Sequence, residues 1–236
     1  MKESHLFYIP GLPECKELPP EEAGHAVRVL RVKDGDPLLA TDGRGNFYDC
    51  IVTAASPRQC EIRVSQTHEV PRLWHGGIWL AVAPTKNMDR MEWLVEKATE
   101  IGMDGVTFVN CRNSERKVVK IERIEKIVVS ALKQSHKALK PEVGDMENFK
   151  SFIQQPFNGT KFIAHCLTED LPALYDQLDA NSDSLVLIGP EGDFTPDEVH
   201  MAEAAGFRSV SLGKSRLRTE TAALVAVHQM NLKKAK

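Results

Sequence analysis

The sequence predicts an α/β protein with a mainly parallel sheet, helices on both faces of that sheet, and a smaller β-rich domain before it. Three observations support this prediction. The first 70 residues contain short segments typical of strands, whereas strand and helix patterns alternate from Gly77 onward. Two apolar strands near the C-terminus each run into a polar turn and then a helix, as in open parallel sheets.

The first domain, predicted over residues 1–70, has the composition of a small β-barrel. Three strands are predicted, at residues 38–41, 47–52 and 59–64. The turn Asp42–Gly45 favours a hairpin between the first two of them. One short helix is predicted from Pro20 to Leu30, because its apolar residues fall on one face. Residues 65–76 lack any period and contain a proline, so we interpret them as a linker.

The second domain, predicted over residues 71–236, alternates strands and helices. Its predicted strands are residues 78–83, 106–109, 161–164, 185–188 and 210–212. Its predicted helices are residues 89–101, 117–139, 171–178, 196–205 and 221–232. Gly102 is placed to end the first helix. Thr195 and Glu198 form a capping box at the start of the fourth, with Pro196 as its first helical residue.

The composition excludes several classes of protein. A chain of 236 residues with 42% hydrophobic and 27% charged residues can bury a core. No apolar run approaches membrane-spanning length, and the first five residues lack the apolar stretch of a secretory signal. The five cysteines are odd in number, scattered and without a Cys-x-x-Cys pair. We therefore expect a cytoplasmic protein with no disulfide framework and no metal site.

The two C-terminal turns are the candidate ligand site. Gly189 and Gly192 allow the first turn to expose backbone amides, and Pro190 stiffens it. If both turns follow neighbouring parallel strands, they form a crevice in which small ligands bind. Neither turn has the glycine pattern of an NAD or ATP site, so a neutral adenosine-like ligand fits better. The alternative that these are ordinary strand-to-helix turns stays open.

The amino-acid sequence of these turns resembles that of a known family. Ile188–Gly192 followed by Leu217–Ala222 closely resembles the RsmE family, the 16S ribosomal RNA uracil-N3 methyltransferases of the SPOUT class. Three further segments match in order along nearly the whole chain: His25–Arg31 of a PUA-like RNA-binding domain, Asp89–Glu100 and Ala131–Ser135. The sequence departs from the family at Asp193, where a second glycine is usual, at His136-Lys137 and at Ser215-Arg216.

The resemblance implies a homodimer with a deep trefoil knot that binds S-adenosyl-L-methionine and methylates 16S rRNA, within the small ribosomal subunit. By analogy the cofactor-binding residues are Ile188, Gly189, Pro190, Glu191, Gly192, Leu212, Gly213, Leu217, Arg218, Thr219 and Ala222. Methylation at N3 removes a proton and places negative charge on the uracil ring, so a fixed cation would lower the barrier. Arg218 is the candidate cation, and Glu220 or Glu191 the candidate proton acceptor. A structural salt bridge is an equally open interpretation of Arg218.

Positive charge is concentrated in one segment. Residues 112–140 contain nine Lys or Arg and three Glu, whereas the whole chain carries a net charge of −3. This segregation suits an RNA backbone, although a solvated helix face remains the alternative. The candidate RNA-binding residues are His25, Arg28, Arg31, Arg112, Arg116, Lys117, Lys133 and Lys137. A non-catalytic RNA-binding protein is the competing function, and a Rossmann oxidoreductase is disfavoured because its glycine fingerprint is absent.

Overall fold

The chain begins with a strand-rich part and then alternates strands and helices, in a computed structural model that describes residues 5–56 and 58–236. Residues 1–4, part of the segment without a signal-peptide pattern, lie outside the described residues. Contacts divide the chain into two units. One contains the described residues up to Arg72 together with Val129–Lys140, and the other contains Leu73–Val128 and Pro141–Lys236. The predicted domain ranges, 1–70 and 71–236, stay predictions.

The small unit is built on a four-stranded sheet. Its strands are β1 (Leu6–Tyr8), β2 (Pro37–Thr41), β3 (Asn46–Ala55) and β4 (Cys60–Glu69), in the order β1-β2-β3-β4. β1 pairs with β2 in parallel, whereas the other two pairs are antiparallel. The predicted hairpin at Asp42–Gly45 is confirmed, because it joins the antiparallel strands β2 and β3.

Two predictions for the small unit are wrong in detail. Residues 65–69, interpreted as part of a linker, continue β4, and residues 66–69 pair with residues 46–49 of β3. Most of their side chains are exposed, so no apolar alternation marks this end of the strand. The helix predicted from Pro20 to Leu30 is an α-helix, α1 (Pro20–Gly24), followed by a π-helical turn at His25–Val29.

A segment distant in sequence completes the small unit. The Gly45 N–H donates to the Ala138 carbonyl at 2.9 Å, and the Lys140 N–H donates to the Gly43 carbonyl at 2.9 Å. The Thr41 hydroxyl also donates to the Ala138 carbonyl, at 3.3 Å. These bonds satisfy backbone groups of the β2–β3 hairpin, and they explain why residues 129–140 belong to this unit.

The large unit contains a six-stranded sheet in which every neighbouring pair is parallel. Its strands are β5 (Ile78–Val82), β6 (Gly105–Asn110), β7 (Glu142–Asn148), β8 (Thr160–Ala164), β9 (Ser184–Ile188) and β10 (Phe207–Val210). They lie in the order β10-β8-β9-β5-β6-β7. The predicted parallel sheet is confirmed, whereas the trefoil knot stays a prediction. Because the strands are parallel, all their carboxyl ends lie at one edge of the sheet.

Helices cover both faces of this sheet, as predicted. They are α2 (Met88–Ile101), α3 (Ile121–Gln134), α4 (Phe149–Ile153), α5 (Leu174–Gln177), α6 (Pro196–Ala204) and α7 (Thr219–Lys234). Val186 of β9 packs in a buried cluster with residues of α2 and α7, whereas the next residue, Leu187, packs with residues of α4 and α6. Alternate residues of one strand therefore face opposite helical layers. None of the described helices is both long and apolar enough to cross a membrane.

Several predicted boundaries in the large unit are wrong. The helix predicted over residues 117–139 is confined to α3, which ends before His136, a residue with a left-handed φ of 49°. The strand predicted at residues 210–212 is β10, which ends at Val210, and the helix predicted at residues 171–178 is the shorter α5. The sequence does not predict β7, because this strand at the edge of the sheet is polar and half-exposed.

The capping box predicted for α6 is confirmed. The Thr195 hydroxyl oxygen accepts from the Glu198 N–H at 3.3 Å, and Glu198 Oε2 accepts from the Thr195 N–H at 2.9 Å. Pro196 occupies the first turn of α6, where backbone N–H groups form no hydrogen bond within the helix, so the N–H that proline lacks is not needed there. The local sequence Thr195–Glu198 therefore fixes where α6 begins.

A buried carboxylate organises the β2–β3 hairpin. Asp42 Oδ1 accepts from the Arg44 N–H at 2.7 Å, and Asp42 Oδ2 accepts from Asn46 Nδ2 and the Tyr48 hydroxyl, both at 3.0 Å. Burial alone would raise the pKa of Asp42, but the hydrogen bonds from Arg44, Asn46 and Tyr48 hold that pKa below its ordinary value. The folded state therefore favours the ionised form.

We predict that Asp42→Asn lowers the free energy of unfolding by about 2 kcal/mol, because the amide places a donor where the site supplies donors. Chemical denaturation at pH 7 measures this, with the exposed Glu69→Gln on β4 as the control. A lowered carboxyl pKa stabilises the folded state above the unfolded pKa, so the difference from the native protein should shrink below about pH 4. Equal stability of the two proteins at pH 7 would contradict this account.

Candidate functional site

A cavity of about 430 Å³ opens at the carboxyl ends of β8, β9 and β10. Its wall contains Ala164–Cys166 at the end of β8, Gly189–Glu191 and Asp193 after β9, and parts of residues 211–222 after β10. Every predicted cofactor-binding residue except Gly192 contributes to this wall, and Gly192 belongs to the same turn. The two C-terminal turns thus meet at one cavity, while their role in holding a ligand stays a prediction.

The two turns do not follow neighbouring strands, which corrects one expectation. β8 lies between β9 and β10 and pairs in parallel with both. The end of β8 therefore supplies a third side of the cavity, Ala164–Cys166. The sequence places His165 at the end of a predicted strand and leaves open whether it approaches the cleft or is a polar strand cap. Only the strand order shows that this segment lies between the other two.

The turn after β9 is tightly packed. The Asp193 N–H donates to the Pro190 carbonyl at 2.9 Å, which closes a four-residue turn. A Cβ added at Gly189 would lie 3.0 Å from the Phe194 ring, so a larger residue would displace that buried side chain. From outside the turn, Asn113 Nδ2 donates to the Gly192 and Asp193 carbonyls at 3.3 and 3.0 Å. This turn is therefore held in one conformation.

Asp193, which replaces a glycine usual in the resembled family, has a structural role. Its φ is 61°, in the left-handed region that favours glycine and that aspartate tolerates. Asp193 Oδ1 accepts from the N–H of the next residue, Phe194, at 2.8 Å, and Oδ2 accepts from the Cys166 N–H at 3.0 Å. The second bond connects the turn after β9 to the end of β8, across the cavity wall.

We predict that Asp193→Ala destabilises the protein more than Asp193→Gly. Alanine loses both hydrogen bonds and remains in the left-handed region, whereas glycine loses the bonds but adopts that φ readily. The expected loss for alanine is about 2 kcal/mol in free energy of unfolding. Chemical denaturation of both variants measures it. The account is wrong if the alanine variant proves at least as stable as the glycine variant.

His165 is buried beside the cavity in a directional chain of hydrogen bonds. Its Nδ1 accepts from the Leu167 N–H at 3.2 Å, so Nε2 carries the proton and donates to Ser209 Oγ at 3.0 Å. Ser209 Oγ donates in turn to Glu203 Oε1 at 2.7 Å. Burial lowers the pKa of His165, and the charges of Asp193 and Glu203 offset this only in part. Both ring nitrogens are engaged, so His165 holds the end of β8 as a neutral ring.

We predict that this neutral ring makes stability depend on pH. A histidine with a lowered folded pKa is protonated more readily in the unfolded chain, so stability falls as pH drops from about 6.5 towards the lowered value. The decline in unfolding free energy between pH 7 and pH 5 should be smaller in His165→Gln. His228→Gln, at an exposed histidine on α7, should keep the native pH dependence. Identical pH profiles for His165→Gln and the native protein would rule out this role.

The segment after β10 presents cationic side chains to the cavity. Gly213 has a left-handed φ of 130° and its N–H donates to Ser211 Oγ at 3.2 Å. Arg216 and Arg218 are exposed and line the cavity. Within the described part of the chain, the Arg218 side chain has neither an ion pair nor a hydrogen bond. The salt-bridge interpretation of Arg218 therefore has no support in this structure.

The two candidate proton acceptors occupy different environments. Glu220 is buried at the start of α7, and its Oε1 lies 3.3 Å from Nη1 of Arg90, which lines the cavity. The sequence does not point to Arg90, because only folding brings α2 beside α7. Glu191 is exposed and lines the cavity, and its Oε1 accepts from the Lys86 N–H at 3.1 Å.

The predicted RNA-binding residues fall into three groups and one separate residue, Lys137. Arg112 and Lys117 line a second cavity of the large unit, while Arg116 donates to the Lys86 carbonyl at 2.7 Å. In the small unit, Arg28 and Arg31 are exposed on the π-helical turn and just after it. His25 and Lys133 line a third cavity, where Lys133 pairs with Glu22 at 2.5 Å. Lys137 is half-buried, and burial lowers its pKa.

Two family models match the chain. The model described as an RNA methyltransferase domain matches residues 74–231, and the model described as an RNA methyltransferase PUA domain matches residues 18–65. The first match contains every residue that lines the cavity at β8, β9 and β10. Among the described residues, no group of three or more His, Cys, Asp or Glu is arranged to hold a metal ion.

Similar proteins include solved structures that match over nearly the whole chain. A probable rRNA-methyltransferase from Porphyromonas gingivalis is 42% identical, with a TM-score of 0.92 and 98% of each chain covered. Ribosomal RNA small subunit methyltransferase E from Neisseria gonorrhoeae, solved bound to S-adenosyl methionine, is 27% identical, with a TM-score of 0.85 and the same coverage. The protein of that name from Mycobacterium bovis is 31% identical over 235 residues, covering 94% of this chain and 89% of the relative.

Proposed function

The chain belongs to the RNA methyltransferase family, and from that membership we propose that it transfers a methyl group from S-adenosylmethionine to N3 of a uridine in 16S ribosomal RNA. Family membership confirms the resemblance seen in the sequence. The observation that carries the proposal is the cavity at the ends of β8, β9 and β10, where the two family-like turns meet. We infer 16S ribosomal RNA as the substrate from the names of the relatives, and N3 of uracil as the methylated atom from the resemblance to the family.

The cavity fits the proposed cofactor. Its volume of about 430 Å³ lies in the range of small-molecule sites. Apolar side chains of Ile188, Leu212 and Leu217 line it together with backbone of the three turns, which suits an adenosine group. When bound, S-adenosylmethionine supplies an electrophilic methyl group on a sulfonium. The residues of the first turn and of Leu212–Gly213 would hold it.

Positive charge at the cavity suits the reaction. Arg90, Arg216 and Arg218 all line it. Loss of the N3 proton leaves negative charge on the uracil ring and its carbonyl oxygens, which a fixed cation stabilises. Arg90 already pairs with Glu220, whereas Arg216 and Arg218 have no partner within the described residues. Arg218 is the better candidate because it belongs to the family-like segment Leu217–Ala222, whereas Arg216 stands at a departure from the family.

The contacts favour Glu191 over Glu220 as the proton acceptor. Glu191 lines the cavity and leaves Oε2 without a bond in the described structure. Glu220 does not line the cavity: its Oε1 pairs with Arg90, and its buried Oε2 has no hydrogen-bond partner among the described residues. Both Asp193 oxygens accept backbone N–H groups, and both His165 nitrogens are engaged, so neither side chain is placed to take the proton.

The wider setting is also part of this proposal. We infer that the chain acts in the cytoplasm as a homodimer on rRNA within the small ribosomal subunit. Trp93 on α2 and Leu232 on α7 are large apolar side chains that remain exposed, which supports burial against a second copy. The basic segment 112–140 and the match to a PUA domain support RNA as the partner.

We predict that Arg218→Ala lowers kcat about 100-fold at saturating RNA and cofactor, because the uracil charge loses its cation. Steady-state methyl transfer measures the rate. Lys214→Ala, an exposed cation in the same loop that does not line the cavity, should keep the native rate. An unchanged kcat for Arg218→Ala would exclude this residue from the chemistry.

The proposed reaction is tested by incubating the protein and labelled cofactor with unmodified small subunits and with free 16S rRNA. Nucleoside mass spectrometry should detect N3-methyluridine at one position. Uptake of cofactor and RNA without any methylated product would favour the non-catalytic alternative. A methyl group on another atom would overturn the N3 assignment while leaving the methyltransferase activity in place.

A further inference from the structure

A second cavity, of about 810 Å³, lies at the carboxyl edge of the same sheet. It is formed where β6 and β7 end and α6 begins, whereas the cofactor cavity is formed by β8, β9 and β10. Asn110 and Asn148, the last residues of β6 and β7, both line it. No step of the proposed methyl transfer uses this cavity.

Three cations from separate segments converge on this second cavity. Arg112 follows β6, Lys117 precedes α3, and Lys150 lies in α4. All three are exposed, and none forms an ion pair through its side chain within residues 5–56 and 58–236. The sequence draws attention to the first two but not to Lys150, which only folding brings beside them. Like charges that converge without counter-ions are a binding site for an anion.

The acidic residues of the cavity do not neutralise these cations. Glu198 is buried, and it already accepts from the Thr195 and Arg112 N–H groups at 2.9 and 2.8 Å. Asp197 is exposed in the first turn of α6, and among the described residues that line this cavity it is the one carboxylate open to solvent. His200 also lines the cavity, and its Nδ1 lies 3.7 Å from a carboxylate oxygen of Glu203, a residue that does not line it.

The backbone that carries the cations is held in place. The Glu198 carboxylate binds the Arg112 N–H, and Ser114 Oγ accepts from the preceding Cys111 N–H at 3.0 Å. Asn148 Oδ1 accepts from the Lys150 N–H at 3.0 Å and caps α4. A ligand that binds here orders only the side chains, because the backbone that carries them is already fixed. The entropic cost of binding is therefore lower than at a site with a mobile backbone.

The same loop connects the second cavity to the cofactor cavity. Between Arg112 and Lys117, Asn113 donates to the Gly192 and Asp193 carbonyls, at the back of the turn after β9. An RNA strand held by the cations would contact a loop bonded directly to the cofactor turn. The two cavities thus share one edge of the sheet and one connecting loop.

We propose that Arg112, Lys117 and Lys150 form a subsite for backbone phosphates of the RNA substrate, beside the nucleotide that is methylated. The proposal rests on the proposed function. Phosphates fit the site better than a base, because three uncommitted cations line it. Of its two ring-bearing lining residues, Phe149 is buried and offers no open ring, which leaves only the exposed His200 for stacking. Phosphate contacts fix the register of the strand without reading its sequence.

The test compares Lys150→Gln with Arg208→Gln, an exposed cation on β10 at the opposite edge of the sheet. Affinity for 16S rRNA is measured by fluorescence anisotropy between 50 and 300 mM salt, together with calorimetric cofactor affinity and the unfolding midpoint. Lys150→Gln should weaken RNA binding and reduce the slope of log K against log salt by about 1. Arg208→Gln should keep the native slope, and cofactor affinity should not change in either variant.

A triple variant, Arg112→Gln, Lys117→Gln and Lys150→Gln, sharpens the result. Its salt slope should fall by about 2 to 3 with an unchanged unfolding midpoint. A native slope in this variant would overturn the proposal, as would full competition by millimolar inorganic phosphate, which indicates a small-anion site. RNA affinity is measured without turnover, so a failure to methylate would count against the proposed function and not against this subsite.

Discussion

The site depends on the parallel alignment of β8 between β9 and β10. This alignment brings the carboxyl ends of three strands to one edge, so three chain segments far apart in sequence form one cavity. Two polar connections hold these segments together: the Asp193 carboxylate binds the Cys166 N–H, and His165 binds Ser209 of β10. Without β8 between them, the two glycine-bearing turns would not enclose a ligand.

The proposed chemistry follows from which polar groups around this cavity already form hydrogen bonds or ion pairs and which do not. Both carboxylate oxygens of Asp193 accept hydrogen bonds from backbone N–H groups. The hydrogen bonds that run from the Leu167 N–H through His165 and Ser209 to Glu203 hold His165 as a neutral ring. Arg216, Arg218 and one oxygen of Glu191 remain uncommitted at the cavity within the described residues. Of these, Arg218 and Glu191 are the groups proposed to meet the substrate. The scaffold groups are hydrogen-bonded, with His165 buried and Asp193 half-buried, whereas the proposed reactive groups are exposed at the cavity.

Local features were predictable from the sequence, and features set by strand order were not. Thr195-Pro196-Asp197-Glu198 specifies the start of α6, and the apolar–polar pattern identifies most strands of the parallel sheet. Asp193 is visible as a departure from a family pattern, but its bond to Cys166 requires the order β10-β8-β9. Arg90 and Lys150 reach their cavities only through helix packing and crossover connections, which no local pattern encodes.

The central claim is that the ends of β8, β9 and β10 form a pocket for a methyl donor. Isothermal titration of the folded protein with S-adenosylmethionine tests it most directly. The account predicts one saturable site per chain, with affinity weakened by at least tenfold in Gly213→Val, because valine is strained at the left-handed φ of this residue. Absence of any binding heat in the native protein, with or without small ribosomal subunits, would contradict the account.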